Sequence, residues 1–272
     1  MESKATKPYR SPWLYDVEPF EIVKDLYYVG NKNVSVHLFD TGEGLLLLDT
    51  AYSQTAYLTL ESIRELGFDP HDIKWILHSH GHYDHFGATR MFVEKYGCKT
   101  YMPEVDLEFM TTRPELNCCV DAGLPYEPPY DCYFETDVAV RPGDVLKFGN
   151  ITVDCYCAAG HTPGTLAYVF HLPCGLNAAM HGGIGLNTLT SEYTKKYNLG
   201  TAWREAYAES LKRLHGLKVD VVLGNHPSQN ETFAKRERMT AEYNPFIDSA
   251  DWDRFLDRTM EKYKAAMEND PL

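Results

Sequence analysis

The sequence predicts an α/β fold, and three observations carry that expectation. First, the apolar run Ile73-Lys74-Trp75-Ile76-Leu77 reads as a buried strand. It passes through a histidine-dense loop into a helix-like stretch from Ala88 to Tyr96, with Met91, Phe92 and Tyr96 apolar and Arg90, Glu94 and Lys95 polar. Second, two further strand-like runs, Ile151 to Cys157 and Val219 to Leu223, also close in turns that bear a histidine. Third, amphipathic helical stretches stand between and beside these runs, at 54–66 and 202–215. A strand that ends in a polar loop and turns into a helix presents its side chains at the carboxyl edge of a sheet, where α/β folds build sites.

In chain order, residues 9–20 form an irregular, aromatic-rich entry with Trp13, Tyr15 and Phe20. Short strands are expected at Ile22-Val23 with Leu26 to Val29, at Val34 to Phe39, and at Leu45 to Leu48. The last of these runs into Asp49, which is either a hydrogen-bond partner for a nearby ligand or the N-cap of the next helix. That helix, 54–66, has Leu58, Ile63 and Leu66 on its apolar side and Gly67 to close it. Thr100 to Met102 is a short strand. Residues 104–142 crowd Pro, Tyr, Asp and Cys together, as in Gly123-Leu124-Pro125-Tyr126, and part of this segment is expected to form a lid or insertion. Strands follow at 151–157, 166–172 and 219–223, and a final helix from Asp251 to Met267. No repeat or low-complexity segment interrupts the chain, which is read as one domain over 1–272.

Composition narrows the function. With 44% hydrophobic and 13% aromatic residues the chain can bury a sizeable core. Mean hydropathy is −0.39, and no apolar run approaches the roughly 18 residues of a membrane span. A formal net charge of −13 argues against nucleic acid, which needs a basic face. The start, Met1 to Pro8, lacks the apolar core of a signal peptide. Seven scattered cysteines, including the vicinal Cys118-Cys119 and Cys155-x-Cys157, fit neither a disulfide framework nor a zinc ribbon, and a reducing cytoplasm is expected.

The chemistry concentrates in His80-x-His82-x-Asp84-His85. Three imidazoles and a carboxylate within six residues are too many for one tetrahedral ion, so two metals sharing the loop is the expected arrangement. A merely solvated histidine-rich loop would not need its flanking strand and helix. His161, in Gly160-His161-Thr162-Pro163-Gly164, and His226, in Gly224-Asn225-His226-Pro227, occupy the same kind of strand end. Six candidate ligands then divide into two sets: His80, His82 and His161 for one zinc, and Asp84, His85 and His226 for the other. Each set leaves room for water, as catalytic zinc sites do. His78, on the strand end, is expected to pack or to support a ligand. His37, His71, His171, His181 and His215 are expected to be structural.

At this point the sequence resembles the metallo-β-lactamase superfamily, whose signature is the His80-x-His82-x-Asp84-His85 motif followed by His161 and His226 in order. The turn 160–164 and the segment Asn244-Pro245-Phe246-Ile247-Asp248 look most like subclass B3 of the β-lactamases. The resemblance implies an αββα sandwich, two mixed sheets flanked by helices. It also implies a two-Zn2+ hydrolase in which a hydroxide bridging the metals, oriented by Asp84, attacks the carbonyl of a cyclic amide in a small-molecule substrate. Many hydrolases of the superfamily carry a metal-bridging Asp after the third ligand. Here Ala178 to Gly185 holds no carboxylate and no cysteine, which matches subclass B3 and weakens lactonase and thioesterase readings. Subclass B3 enzymes also usually carry substrate-binding serines in this stretch, where this chain has Gly183 and Gly185. A hydrolase of another amide, ester or lactone with weak β-lactamase activity is therefore the alternative. A di-iron oxidoreductase would need the absent bridging carboxylate, and a non-catalytic metal-binding protein would not need open coordination positions.

Overall fold

Leu45–Leu48, four consecutive buried leucines, shows how the layers arise. Alternate side chains of a strand face opposite ways. Leu45 and Leu47 join one apolar cluster and Leu46 and Leu48 another, so this strand is covered on both faces. Each such leucine contributes about 1.5–3 kcal/mol by leaving water. The same division recurs in the second sheet, where Ala178 and Met180 face the shared interior and Ala179 faces away.

The computed structural model describes residues 7–118 and 132–271. One sheet orders seven strands β1 to β7 in sequence: Phe20–Val23, Leu26–Tyr28, His37–Asp40, Leu45–Leu48, Ile73–Leu77, Lys99–Pro103 and Val138–Val140. The first four pair antiparallel, and β4 to β7 run parallel. The second sheet has the order β12-β11-β10-β9-β8, from Val145–Phe148 (β8), Ile151–Cys157 (β9), Leu166–His171 (β10), Asn177–His181 (β11) and Val221–Leu223 (β12). Only β11 and β12 are parallel in it. The sheets pack face to face, with Phe39 stacked on Phe170 at 4.5 Å.

Helices α1 (Ala56–Glu65) and α3 (Thr89–Tyr96) cover the outer face of the first sheet, through Leu60, Ile63 and Phe92. A single turn, α2 (Tyr83–Phe86), lies inside the ligand loop, and α4 (Glu104–Thr112) follows β6. After α5 (Ser191–Tyr197), helix α6 (Ala202–Leu214) packs with α8 (Asp251–Asn269) on the outer face of the second sheet, burying Tyr207, Leu211, Trp252 and Phe255; α7 (Thr232–Glu237) lies between them in sequence. The result is the expected αββα sandwich. No helix among the described residues is long and apolar enough to cross a membrane.

Several elements differ from the sequence reading. The strand expected over 34–39 begins only at His37, because the amide of Ser35 leaves the ladder to donate to the Asn225 carbonyl at 3.0 Å. The segment 104–142 is regular at both ends: 104–112 is helical and 138–140 completes the first sheet. Its proline-rich middle obscured those flanks. The middle itself, 119–131, lies outside the described residues, and with it Cys119, the Gly123 to Tyr130 run and much of the expected lid. Asp49 is not a cap: the residue preceding α1 is Thr55.

Candidate metal centre

Parallel strands β4 and β5 deliver Asp49 and the 78–85 loop to one edge of the sandwich, β9 delivers the His161 turn, and β12 delivers Asn225 and His226. The chain crosses between them under strain. Asp49 (φ 63°) and Ala51 (φ 57°) adopt left-handed conformations, which cost a non-glycine residue about 1 kcal/mol each. Hydrogen bonds from Asp49 N to Leu77 O, Thr50 N to His85 O and Ala88 N to Ala51 O offset this by lacing the segment to the ligand loop. In the third turn Gly160 (φ 141°) is required, since a Cβ there would stand 2.4 Å from the Tyr207 side chain.

The six residues singled out from the sequence gather as two trios. His80, His82 and His161 offer one ligand atom each within 4.8 Å of one another, and Asp84, His85 and His226 do the same. His80 Nε2 and His82 Nδ1 are 3.1 Å apart, close to the separation of about 3.3 Å for two nitrogens on one tetrahedral zinc. In the second trio Asp84 Oδ2 stands 3.5 Å from His85 Nε2 and 3.5 Å from His226 Nε2.

Hydrogen bonds on the far side of each ring orient the ligand atoms. His161 Nδ1 donates to Gly185 O at 2.8 Å and His226 Nδ1 to Asn33 O at 2.7 Å. A carbonyl can only accept, so in the neutral rings Nε2 carries the lone pair. His85 Nδ1 donates to Asp49 Oδ2 at 2.8 Å, and its buried Nε2 has no hydrogen-bond partner among the described residues. Asp84 Oδ2, His85 Nε2 and His226 Nε2 thus converge on one point, where a cation would take the place of any proton on the His85 ring. The residues fit a metal.

Electrostatics agree. Burial, with neighbouring imidazoles adding to it, holds His80 and His82 well below the ordinary imidazole value. Burial lowers His161 to about 4 and also lowers His226. These rings are neutral at pH 7, the form that binds metal. Burial would raise Asp84, but His85, His226, His82 and His161 outweigh it and keep the carboxyl ionised. Burial would lower His85; the carboxylates of Asp84 and Asp49 outweigh it and raise it.

The remaining histidines have other partners. His78 bonds Tyr101 O through Nδ1 and Thr89 Oγ1 through Nε2, both at 2.8 Å, tying β5 to β6 and α3. His71 pairs with Asp69, His171 with Asp154, and His215 with Asp253 and Asp257. His37 and His181 are buried in the sheets. Sequence reasoning missed the carbonyls of Asn33 and Gly185, and it missed Asp106, a buried carboxylate on α4. Burial pushes Asp106 up to about 7 against the pull of hydrogen bonds from Thr162, Gly81 and Gly164. None of the three carries a local sequence signal, because each meets its partner only in the folded chain.

Both trios open into one cavity of about 340 Å3, walled by Asn33, Tyr52, Asn187, Asn225 and Gln229, with Lys7 the one Lys or Arg lining it among the described residues. Its size suits a small molecule. Gly183 and Gly185 lie against a ligand: a Cβ on Gly183 would meet His161 Cδ2 at 2.6 Å, and one on Gly185 would meet His161 Cε1 at 2.9 Å.

A two-sheet sandwich with such trios at its edge defines a metal-dependent hydrolase. The chain belongs to the metallo-β-lactamase superfamily, whose sequence profile matches residues 29–173. Among solved structures it is similar to BJP-1, a subclass B3 metallo-β-lactamase of Bradyrhizobium japonicum, with 26% identity, a TM-score of 0.80, and 94% of this chain and 96% of that one covered. The GOB-18 metallo-β-lactamase of Elizabethkingia meningoseptica is 25% identical, with a TM-score of 0.79 over 99% and 98% of the two chains. The FEZ-1 enzyme of Legionella gormanii, at 22% identity and a TM-score of 0.81 over 94% and 97%, shares the fold. An uncharacterised Mycobacterium leprae protein, ML0493, is 29% identical over 182 residues, 64% of this chain and 75% of that one.

Proposed function

We propose that the chain is a two-zinc hydrolase that opens a cyclic amide in a small-molecule substrate, in the manner of the subclass B3 enzymes it resembles. The observation that carries this reading is the convergence of two ligand trios on one cavity. Zinc held there would supply Lewis acidity, polarising a carbonyl and bringing the pKa of water towards neutrality. The chain supplies the rest. Neutral His80, His82 and His161 form one set of donors, and Asp84, His85 and His226 the other. Asp84, the one carboxylate of the six, orients the attacking water as well as binding metal. Asn33, Tyr52, Asn187 and Gln229 offer hydrogen bonds along the substrate, and Lys7 offers a charge to an anionic group on it.

A second reading, hydrolysis of another amide, an ester or a lactone, is favoured by Gly183 and Gly185. The serines expected at these positions in a subclass B3 enzyme would have to displace His161 here. Elemental analysis of the purified protein, beside hydrolysis of a chromogenic cephalosporin and a panel of esters and lactones, tests both. Two zincs with rapid cephalosporin turnover supports the first reading. Two zincs with turnover of esters or lactones only supports the second. A protein that takes up no divalent metal overturns both.

A further inference from the structure

We infer that Asp106 is the positioning residue for the His80–His82–His161 trio, and for that trio alone. The inference rests on the metal-site reading above. Asp106 lies on α4, in a segment whose composition gave no hint of a role, and its side chain is excluded from solvent. Its Oδ2 accepts from the backbone amide of Gly81 at 2.7 Å and from Thr162 Oγ1 at 2.7 Å, and its Oδ1 accepts from the amide of Gly164 at 2.7 Å. Gly81 stands between His80 and His82, and Thr162 follows His161. One carboxylate therefore ties together the two turns that carry all three ligands of this trio.

The approach is close enough to constrain the sequence on the other side. A Cβ on Gly164 would stand 2.3 Å from Asp106 Oδ1, so only glycine lets the His161 turn reach the carboxylate. The second trio is held by different groups, Asp49 behind His85 and the Asn33 carbonyl behind His226. A buried carboxylate is costly unless its lone pairs are used, and here three donors use them. An asparagine would keep the shape but turn an NH2 group towards an N–H or O–H donor on one side, pushing the turns apart.

The test compares the wild-type chain with D106N. Bound Zn2+ is measured by elemental analysis after dialysis, and Co2+ titration is followed by visible absorption. Wild type is expected to hold two ions and D106N one, with affinity at the vacated site down about 10–100-fold. Adding His161→Ala to D106N should leave the single ion in place, and adding His226→Ala should remove it. Thr162→Val, which removes one donor and leaves both backbone hydrogen bonds, gives a milder version should D106N fail to fold: the same site weakens and the other does not. D106N retaining two ions at wild-type affinity overturns the inference, and so do D106N or Thr162→Val weakening both sites equally, the mark of a general folding role. A wild-type chain that binds no Zn2+ or Co2+ overturns the metal-site reading itself and takes this inference with it.

Discussion

Asp49 and His85 meet as a buried pair: Asp49 Oδ2 accepts a 2.8 Å hydrogen bond from His85 Nδ1. The same carboxylate accepts from Ser79 N at 2.7 Å and Ser79 Oγ at 2.8 Å, so it fixes the start of the ligand loop as well as the ring. Asp49→Asn keeps the size but loses the charge that aligns His85. Zinc affinity at the Asp84–His85–His226 site should fall about 10–100-fold. Calorimetric titration of Zn2+ into metal-free protein checks this, and an unchanged second dissociation constant would refute it.

Gly183 and Gly185 make an opposite prediction to the one family resemblance encourages. Installing serine at either position should not create β-lactamase activity. The new Cβ meets the His161 ring, so G183S and G185S should each cost about 1–3 kcal/mol of stability. Both should lose zinc from the His80–His82–His161 site. Denaturant melts and metal analysis read these effects together.

Replacing His82 or His226 with alanine should abolish hydrolysis together with one bound zinc. Chelation of the wild-type protein should do the same reversibly, and it should lower the melting temperature, because an ion that binds only the folded chain stabilises it. Activity that survives full removal of metal would sink the mechanism.

His37 predicts an acid sensitivity. It is buried against Tyr28, neither ring nitrogen has a hydrogen-bond partner among the described residues, and burial lowers it to about 4, with Asp49 opposing. The unfolded chain takes up this proton near 6.5 and the folded chain only near 4. Its neutral burial therefore costs nothing above pH 6.5, and stability falls as pH drops from 6.5 towards 4, by about 3 kcal/mol in all. His37→Phe, which keeps a ring beside Tyr28, should shrink the stability difference between pH 7 and pH 5 in denaturant melts by about 2 kcal/mol, the share of His37 among several buried histidines that burial also lowers. An unchanged difference between the two pH values would show that His37 is already charged or already paired.

Much of this was legible in the sequence, because it depends on neighbours in the chain. The spacing His80-x-His82-x-Asp84-His85, the apolar runs that end at Leu77, Cys157 and Leu223, and the turns bearing His161 and His226 all single out, from local pattern, the six candidate ligands that gather as two trios. The all-apolar run Leu45 to Leu48 likewise marks a buried strand, while the two-sheet sandwich was implied by the family resemblance. The tertiary structure decided what supports the ligands. Asp49 could have been a cap until its carboxylate was found on a ring 36 positions away. Asp106 stands beside a proline-rich stretch with no local signal, and only the fold puts its oxygens on Gly81, Thr162 and Gly164. Gly183 and Gly185 read as missing serines, whereas packing shows them to be the room that His161 needs. The physical reason is the same in each case. Ligand identity follows from donor chemistry, which a residue type carries with it. Orientation follows from hydrogen bonds and contacts between segments distant in the chain, and these exist only once the two sheets have closed.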